Sequence, residues 1–190
     1  MNMATRRWWH LQFSLRLLFV AMAVAAGPIS IGVWYWNAYL ESLRPRLISL
    51  FGGDEMLANV AAPSSVDVYR LRLPESIDPR YAQITDYAVA NGPVRLSERA
   101  RAKLSRVLVN PRNYRFGLIG GSFAPWVRVR ISGQTGSVLL LLDPRGLLAR
   151  IDENTSHVAG TPMSRHARKE ILSVIKEAFP GDRDIQALRN

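Results

Sequence analysis

Between Leu17 and Trp36 the chain runs for twenty residues without a charge, LLFVAMAVAAGPISIGVWYW, interrupted only by Gly27, Pro28, Ser30 and Gly32. A bilayer core of about 30 Å is crossed by about 20 apolar residues of α-helix, so this run predicts one membrane-spanning helix. Beyond it the apolar positions become periodic. Leu40, Leu43, Leu47 and Leu50 recur at helical spacing over 37–51, a juxtamembrane segment that Pro45 is expected to break or bend. Gly52-Gly53 then stops the pattern, and the small and turn-forming residues up to position 64 read as a linker. The expected organisation is a basic stub (1–16), a transmembrane helix (17–36), a juxtamembrane segment with linker (37–64) and one domain (65–190).

Within the domain, VDVYRLRL at 66–73 alternates apolar and polar residues except around Tyr69-Arg70, which predicts a strand closed by Pro74. A weaker strand is predicted over 84–90, ended by Asn91-Gly92-Pro93 as a tight reversal. From Ser97 a capped helix is predicted, with Ala100, Leu104, Val107 and Leu108 on its apolar face and Pro111 beyond its end. WVRVRI at 126–131, SGQTG and SVLLLL at 137–142 read as a hairpin, and a further strand over 147–151 makes a three-strand meander. The four leucines place side chains on both faces, as in a strand interior to its sheet. A last helix is predicted from Thr161-Pro162 to Phe179, with Ile171, Leu172, Val174, Ile175 and Phe179 inward. The fold class that follows is α+β: a transmembrane helix, then a mainly antiparallel sheet with two helices packed on one face.

The flanks of the apolar run give orientation. Arg6, Arg7 and Arg16 precede it, Arg44 and Arg46 follow it, and Glu41 lies between. The more basic side favours the cytoplasm, which places the C-terminal domain outside it, at the cell membrane. Trp8, Trp9, Trp34, Tyr35 and Trp36 match interfacial aromatic belts. The alternative is a signal peptide cleaved after Ala23-Val24-Ala25, near Ala26. Against it, the apolar run continues to an aromatic cluster that a soluble N-terminus would expose. Retention as a signal anchor is the expectation.

Net charge is +10, with no cysteine, so disulfides, thiolate metal sites and lipid attachment to cysteine are excluded. Residues 64–190 hold 20 Lys and Arg against 12 Asp and Glu, a surplus of 8. Such a surface attracts anionic lipid, an acidic partner or nucleic acid, and proximity to a membrane favours lipid over nucleic acid. Arg128 and Arg130 share one face of the hairpin and are candidate ligand contacts for a carboxylate, phosphate or acidic peptide. Arg165, Arg168 and Lys169 on the last helix, with Lys176, are candidate contacts to an anionic surface. Gly117, Gly120 and Gly121 lack the Lys-Ser or Lys-Thr of a phosphate loop. Asp152-Glu153-Asn154 lacks a calcium loop's alternation, and Asn154-Thr155-Ser156 fits a short glycosylation triplet. The histidines, His10, His157 and His166, form no metal or catalytic spacing, and a carboxylate pair would have to be assembled from distant sequence, such as Asp67 with Asp86. No metal and no cofactor is implied.

FSLR at Phe13–Arg16, GPVRL at Gly92–Leu96, the VRVR strand, VLLLLD and the closing FPGD followed by Ile185-Gln186 resemble a family of small single-span membrane-anchored bacterial proteins of unassigned function. The resemblance implies an architecture, an anchor plus a C-terminal α+β domain, and no activity. The family pattern carries cysteines near the positions of Phe123, Leu141 and Pro144, which this chain lacks, so no thiol or metal role is carried over. The reading that follows is a membrane-anchored, non-catalytic binding or interaction module. Its alternative is a basic domain that engages anionic lipid, nucleic acid or another anionic polymer.

Overall fold

A computed structural model describes residues 3–77, 82–116, 123–151 and 160–188; the side chains at 3–16, 21, 23, 25–28 and 84 lie outside this description. The chain divides into two compact units, Met1–Ser42 and Leu43–Asn190. Helix α1 (Met3–Phe51) supplies the first unit and contributes its last turns to the second. From Leu17 to Tyr39 its described apolar side chains are exposed, among them Phe19, Ile31 and Trp34. Among the described residues no helix is long and apolar enough to cross a membrane; six side chains inside the run at 17–36 fall outside that set.

The second unit begins earlier than the expected boundary at residue 65. Leu43, Leu47 and Phe51, at helical spacing on α1, are buried. Pro45 does not break the helix. Burying each large apolar side chain stabilises by about 1.5–3 kcal/mol, and three of them outweigh the roughly 3 kcal/mol that an interior proline costs. Positive φ at Gly52 (89°) turns the chain, and a side chain there would meet the Arg150 guanidinium. The expected linker is instead helix α2 (Asp54–Ala61), whose Val60 is fully buried.

Strands β1 (Ser65–Arg72), β2 (Ala88–Arg95), β3 (Val127–Ser132), β4 (Ser137–Leu142), β5 (Leu147–Ile151) and β6 (Thr161–Pro162) form an antiparallel sheet in the order β2-β1-β3-β4-β5-β6. Asn91-Gly92-Pro93 lies inside β2, not at its end. The β1–β2 register shifts there, and Gly92, at φ 108° and close against Val68 O, leaves no room for a Cβ. Strand β4 is interior, as its leucines require. Register aligns Val68, Val129 and Leu140 on one face.

That face carries the core, where these residues cluster with the end of α1, α2, α3 (Glu98–Leu108), α4 (Arg165–Ala178) and α5 (Arg183–Ala187). Two packed helices were expected; the end of α1, α2 and α5 join them. The Ser97 hydroxyl caps α3 by accepting from Ala100 N at 3.2 Å. The last helix starts later than expected. Ser164 is its cap, accepting from Ala167 N at 3.2 Å, while Thr161-Pro162 pairs with β5.

Candidate functional site

The alternation in β3 puts Val127, Val129 and Ile131 into the core and Arg128 and Arg130 on the opposite face. There Arg128 sits opposite Tyr69, its guanidinium carbon 4.6 Å from the ring centroid, a cation–π geometry. Its buried Nε makes no hydrogen bond among the described residues. Arg130 is exposed opposite Asp67, whose carboxylate pairs with Arg95 at 3.2 Å. Arg95 and Arg130 therefore flank one aspartate across β2, β1 and β3, with Arg128 over Tyr69 on the same face. An extended basic surface with one aromatic platform can attract an anion.

The cations of α4 do not join this face. The helix lies on the core side of the sheet, with Arg165 and Lys169 exposed to solvent. Arg168, expected on the outer surface, is half-buried instead. Its aliphatic stem runs against Gly146 in the β4–β5 turn, where a Cβ would come within 3.0 Å of Arg168 Cδ. Long basic side chains bury their stems in this way. Lys176 reaches across to accepting carbonyls of Gln186 and Leu188, at 3.1 and 2.7 Å, and so holds α5.

One polar concavity was not flagged by the sequence. Where β1 passes α5, Arg70 is buried and donates in four directions: Nε to Asp182 at 3.0 Å, Nη2 toward Asp184 at 3.5 Å, and Nη1 to Leu71 O at 2.7 Å and Trp126 O at 3.2 Å. Its guanidinium also lies 4.8 Å from the Trp126 ring. Burial works to raise the Asp182 pKa, but hydrogen bonds from the Ile185 amide and Arg70, with the Arg70 charge, hold it below the ordinary value. Two clefts of about 370 and 250 Å³ open on this network and share Arg70, Arg72 and Asp184. The larger is walled by Asn91 and Val94 of β2 and by Phe179 and Pro180. The smaller is walled by Tyr87 and Trp126.

A visible clue did exist in the sequence. Strand alternation assigns position 70 to the apolar face, so an arginine there requires a buried counter-charge, and the carboxylates of the tail supply it.

Close by, Asp143 is buried and accepts from Ala124 N at 2.9 Å, from Arg145 N at 2.7 Å and from the Arg145 side chain. Burial, then Asp143 and Asp86, raise the Tyr87 pKa, which keeps the phenol neutral. The Tyr114 hydroxyl, fully buried, donates to Leu108 O at 2.7 Å. Each of Arg70, Asp143 and Tyr114 is thus occupied in joining backbone segments. Asp67 and Asp86 have separate partners, Arg95 and the Gln83 amide. His166 is exposed on α4, whereas His157, Asp152–Asn154, the glycosylation triplet and most of the glycine-rich loop (117–122) lie outside the described residues. Among the described residues no cluster of His, Cys, Asp or Glu is arranged to hold a metal ion. Comparison with protein-family models, curated proteins and solved structures gives no match to this chain.

Proposed function

We propose that the protein is a single-pass, membrane-anchored interaction module whose α+β domain lies outside the cytoplasm and acts by binding, not catalysis. One observation carries the anchor: all the exposed large apolar side chains among the described residues, except Val89, fall between Leu17 and Tyr39. Contiguous apolar surface of that extent is stable in lipid or against a partner, not in water. The binding role is supported by the commitment of Arg70, Asp143 and Tyr114 to structural bonds and by open charged surfaces around Arg128, Arg130, Arg72 and Asp184. A general acid and base need mutual geometry that these groups do not offer.

A reporter active only in the cytoplasm, fused after Asn190, tests the orientation and is expected to be silent. N-terminal sequencing of the mature protein is expected to retain the run at 17–36. A bright reporter overturns the orientation, and a new terminus at Ala26 turns the anchor into a cleaved leader.

A further inference from the structure

Two charged side chains at the Arg70 network are not engaged by it. Asp182 is held by Arg70 Nε at 3.0 Å and by the Ile185 amide at 3.0 Å. Asp184 is exposed and approaches only Arg70 Nη2, at 3.5 Å, longer than the roughly 2.7–2.9 Å of a charge-assisted hydrogen bond. Arg72 follows Arg70 by two residues on β1, on the same face of the strand, and is exposed. Among the described residues Arg72 makes no hydrogen bond or ion pair. Arg72 and Asp184 therefore line the same two clefts as opposite charges that do not pair with each other. The smaller cleft adds an apolar wall of Leu73, Tyr87, Pro125 and Trp126. The Trp126 ring is held in place by the Arg70 guanidinium 4.8 Å away and by its own amide, which donates to Leu142 O at 2.9 Å. Tyr87 is half-buried and its phenol stays neutral. At about 370 and 250 Å³, clefts that meet at one charged junction suit a small molecule, whose sites span roughly 300–1,000 Å³.

We propose that this junction binds a free α-amino acid with an apolar or aromatic side chain: Arg72 holds its carboxylate, Asp184 its ammonium group, and the side chain lies against Tyr87 and Trp126. The proposal names a ligand class for the binding role put forward above and rests on that reading. Charge balance selects the ligand. Arg70 and Arg72 are matched by Asp182 and Asp184, so a ligand of net charge leaves one charge in the cleft without a partner, which is costly. A zwitterion satisfies both free groups at once. The planar fork of Arg72 fits a carboxylate through two parallel hydrogen bonds, and the Asp184 carboxylate accepts from an ammonium group. The aromatic wall then discriminates by side chain, since a ring or branched alkyl group covers more of Tyr87 and Trp126 than a methyl group does.

The test is isothermal titration calorimetry of the full chain in mild detergent with L-phenylalanine, N-acetyl-L-phenylalanine and phenethylamine, which carry both charges, the anion alone and the cation alone. L-Phenylalanine is expected to saturate with a Kd below about 1 mM. Each singly charged analogue is expected to bind about tenfold more weakly or worse, the effect of losing one hydrogen-bonded charge. R72Q and D184N are each expected to weaken L-phenylalanine by about tenfold with an unchanged thermal melt, because both side chains are exposed. R106Q, exposed on α3 and outside both clefts, is expected to stay within about twofold. Y87A is expected to weaken L-phenylalanine about threefold more than it weakens L-alanine. Absence of saturation up to about 10 mM overturns the site. Equal binding of N-acetyl-L-phenylalanine overturns it in favour of an anion site, and equal binding of phenethylamine in favour of a cation site. Binding by R72Q or D184N within about twofold of wild type overturns it as well. Mass spectrometry of the recovered amino acid separates the two levels: a changed mass overturns the non-catalytic reading and the proposal resting on it, whereas unchanged amino acid that fails to saturate the chain overturns the site alone.

Discussion

Helix α1 between Leu17 and Tyr39 and the helices α3 and α4 share a backbone conformation and differ in what surrounds them. The first exposes Leu17, Phe19, Val24, Ile31 and Trp34 around its circumference. The others bury one stripe, Ala100, Leu104, Ser105, Val107 and Leu108 on α3 and Ala167, Ile171, Leu172, Val174 and Ile175 on α4, and give most remaining positions to charged residues. A helix that packs on a sheet in water needs one apolar side; a helix that is apolar all round needs an apolar environment on every side. The two regions therefore tolerate opposite substitutions, and a single introduced charge distinguishes them.

The largest effect is expected in the sheet. Leu140 on β4 is 1% exposed and faces the helices. Leu140→Asp places an unpaired charge where desolvation costs several kcal/mol against a total stability of roughly 5–15 kcal/mol, so the domain is expected to lose its cooperative thermal transition. Leu140→Ala keeps the fold measurable and is expected to cost about 2–5 kcal/mol in denaturant titration. A cooperative melt for Leu140→Asp within a few degrees of wild type would contradict the interior placement of β4.

The same charge on α1 is expected to do the reverse. Val24 is exposed, so Val24→Asp leaves the melt of the Leu43–Asn190 unit unchanged. It is expected to weaken membrane insertion by about 2.5–3.5 kcal/mol, read as the fraction of glycosylation-tagged chain inserted. Unchanged insertion would break the contrast between the two helical environments.

Much of the second unit was legible because its periods are clean. The 3.6-residue stripe after Ser97 and the two-residue alternation of β3 each have one buried side, and the doubly apolar β4 has to lie between β3 and β5. The segment 54–61 was not legible. The Ala61-Ala62-Pro63-Ser64-Ser65 run at its end has linker composition, and only Asn59 and Val60 are buried, so tertiary packing makes the helix. Asn59 shows how: its side-chain oxygen accepts from the Thr135 hydroxyl at 3.1 Å in the β3–β4 turn, a bond across 76 residues that no local pattern reveals. The site was less legible than the fold. Arg128 and Arg130 were placed on the correct face, but Arg168 folds inward, and the Arg70 network joins residues 112 positions apart.

That network gives an intermediate effect. Asp182→Asn removes the charged partner of Arg70 Nε while leaving Asp184 nearby, and a hydrogen bond between charged groups contributes about 1.5–3 kcal/mol. The expected loss is of that order, at its lower end because Asp182 is partly exposed. The pH dependence follows in sign. The folded-state pKa of Asp182 lies below its unfolded value, so its contribution is complete above about pH 4 and is lost as pH falls through the folded value. The difference in stability between wild type and Asp182→Asn, from denaturant titrations at pH 7 and pH 3, is expected to shrink in acid. A constant difference would show that the carboxylate's charge is not what holds α5 to β1.

The smallest effect concerns where α4 begins, and it separates the observed start from the one the sequence suggested. Thr161-Pro162 has the composition of a cap and first turn, yet Ser164 accepts the Ala167 amide proton, and its own backbone amide donates to Asn113 O at 2.7 Å. Thr161 instead pairs with Leu148 as part of β6. Removing a serine cap leaves one amide of the first turn without a partner and costs about 1 kcal/mol. Ser164→Ala is therefore expected to lower stability by about that amount, and Thr161→Ala by less, since an edge-strand position loses only a modest β preference. Both are read from denaturation midpoints at constant slope. A larger loss at Thr161 than at Ser164 would move the start of α4 back to the residue that the sequence favoured.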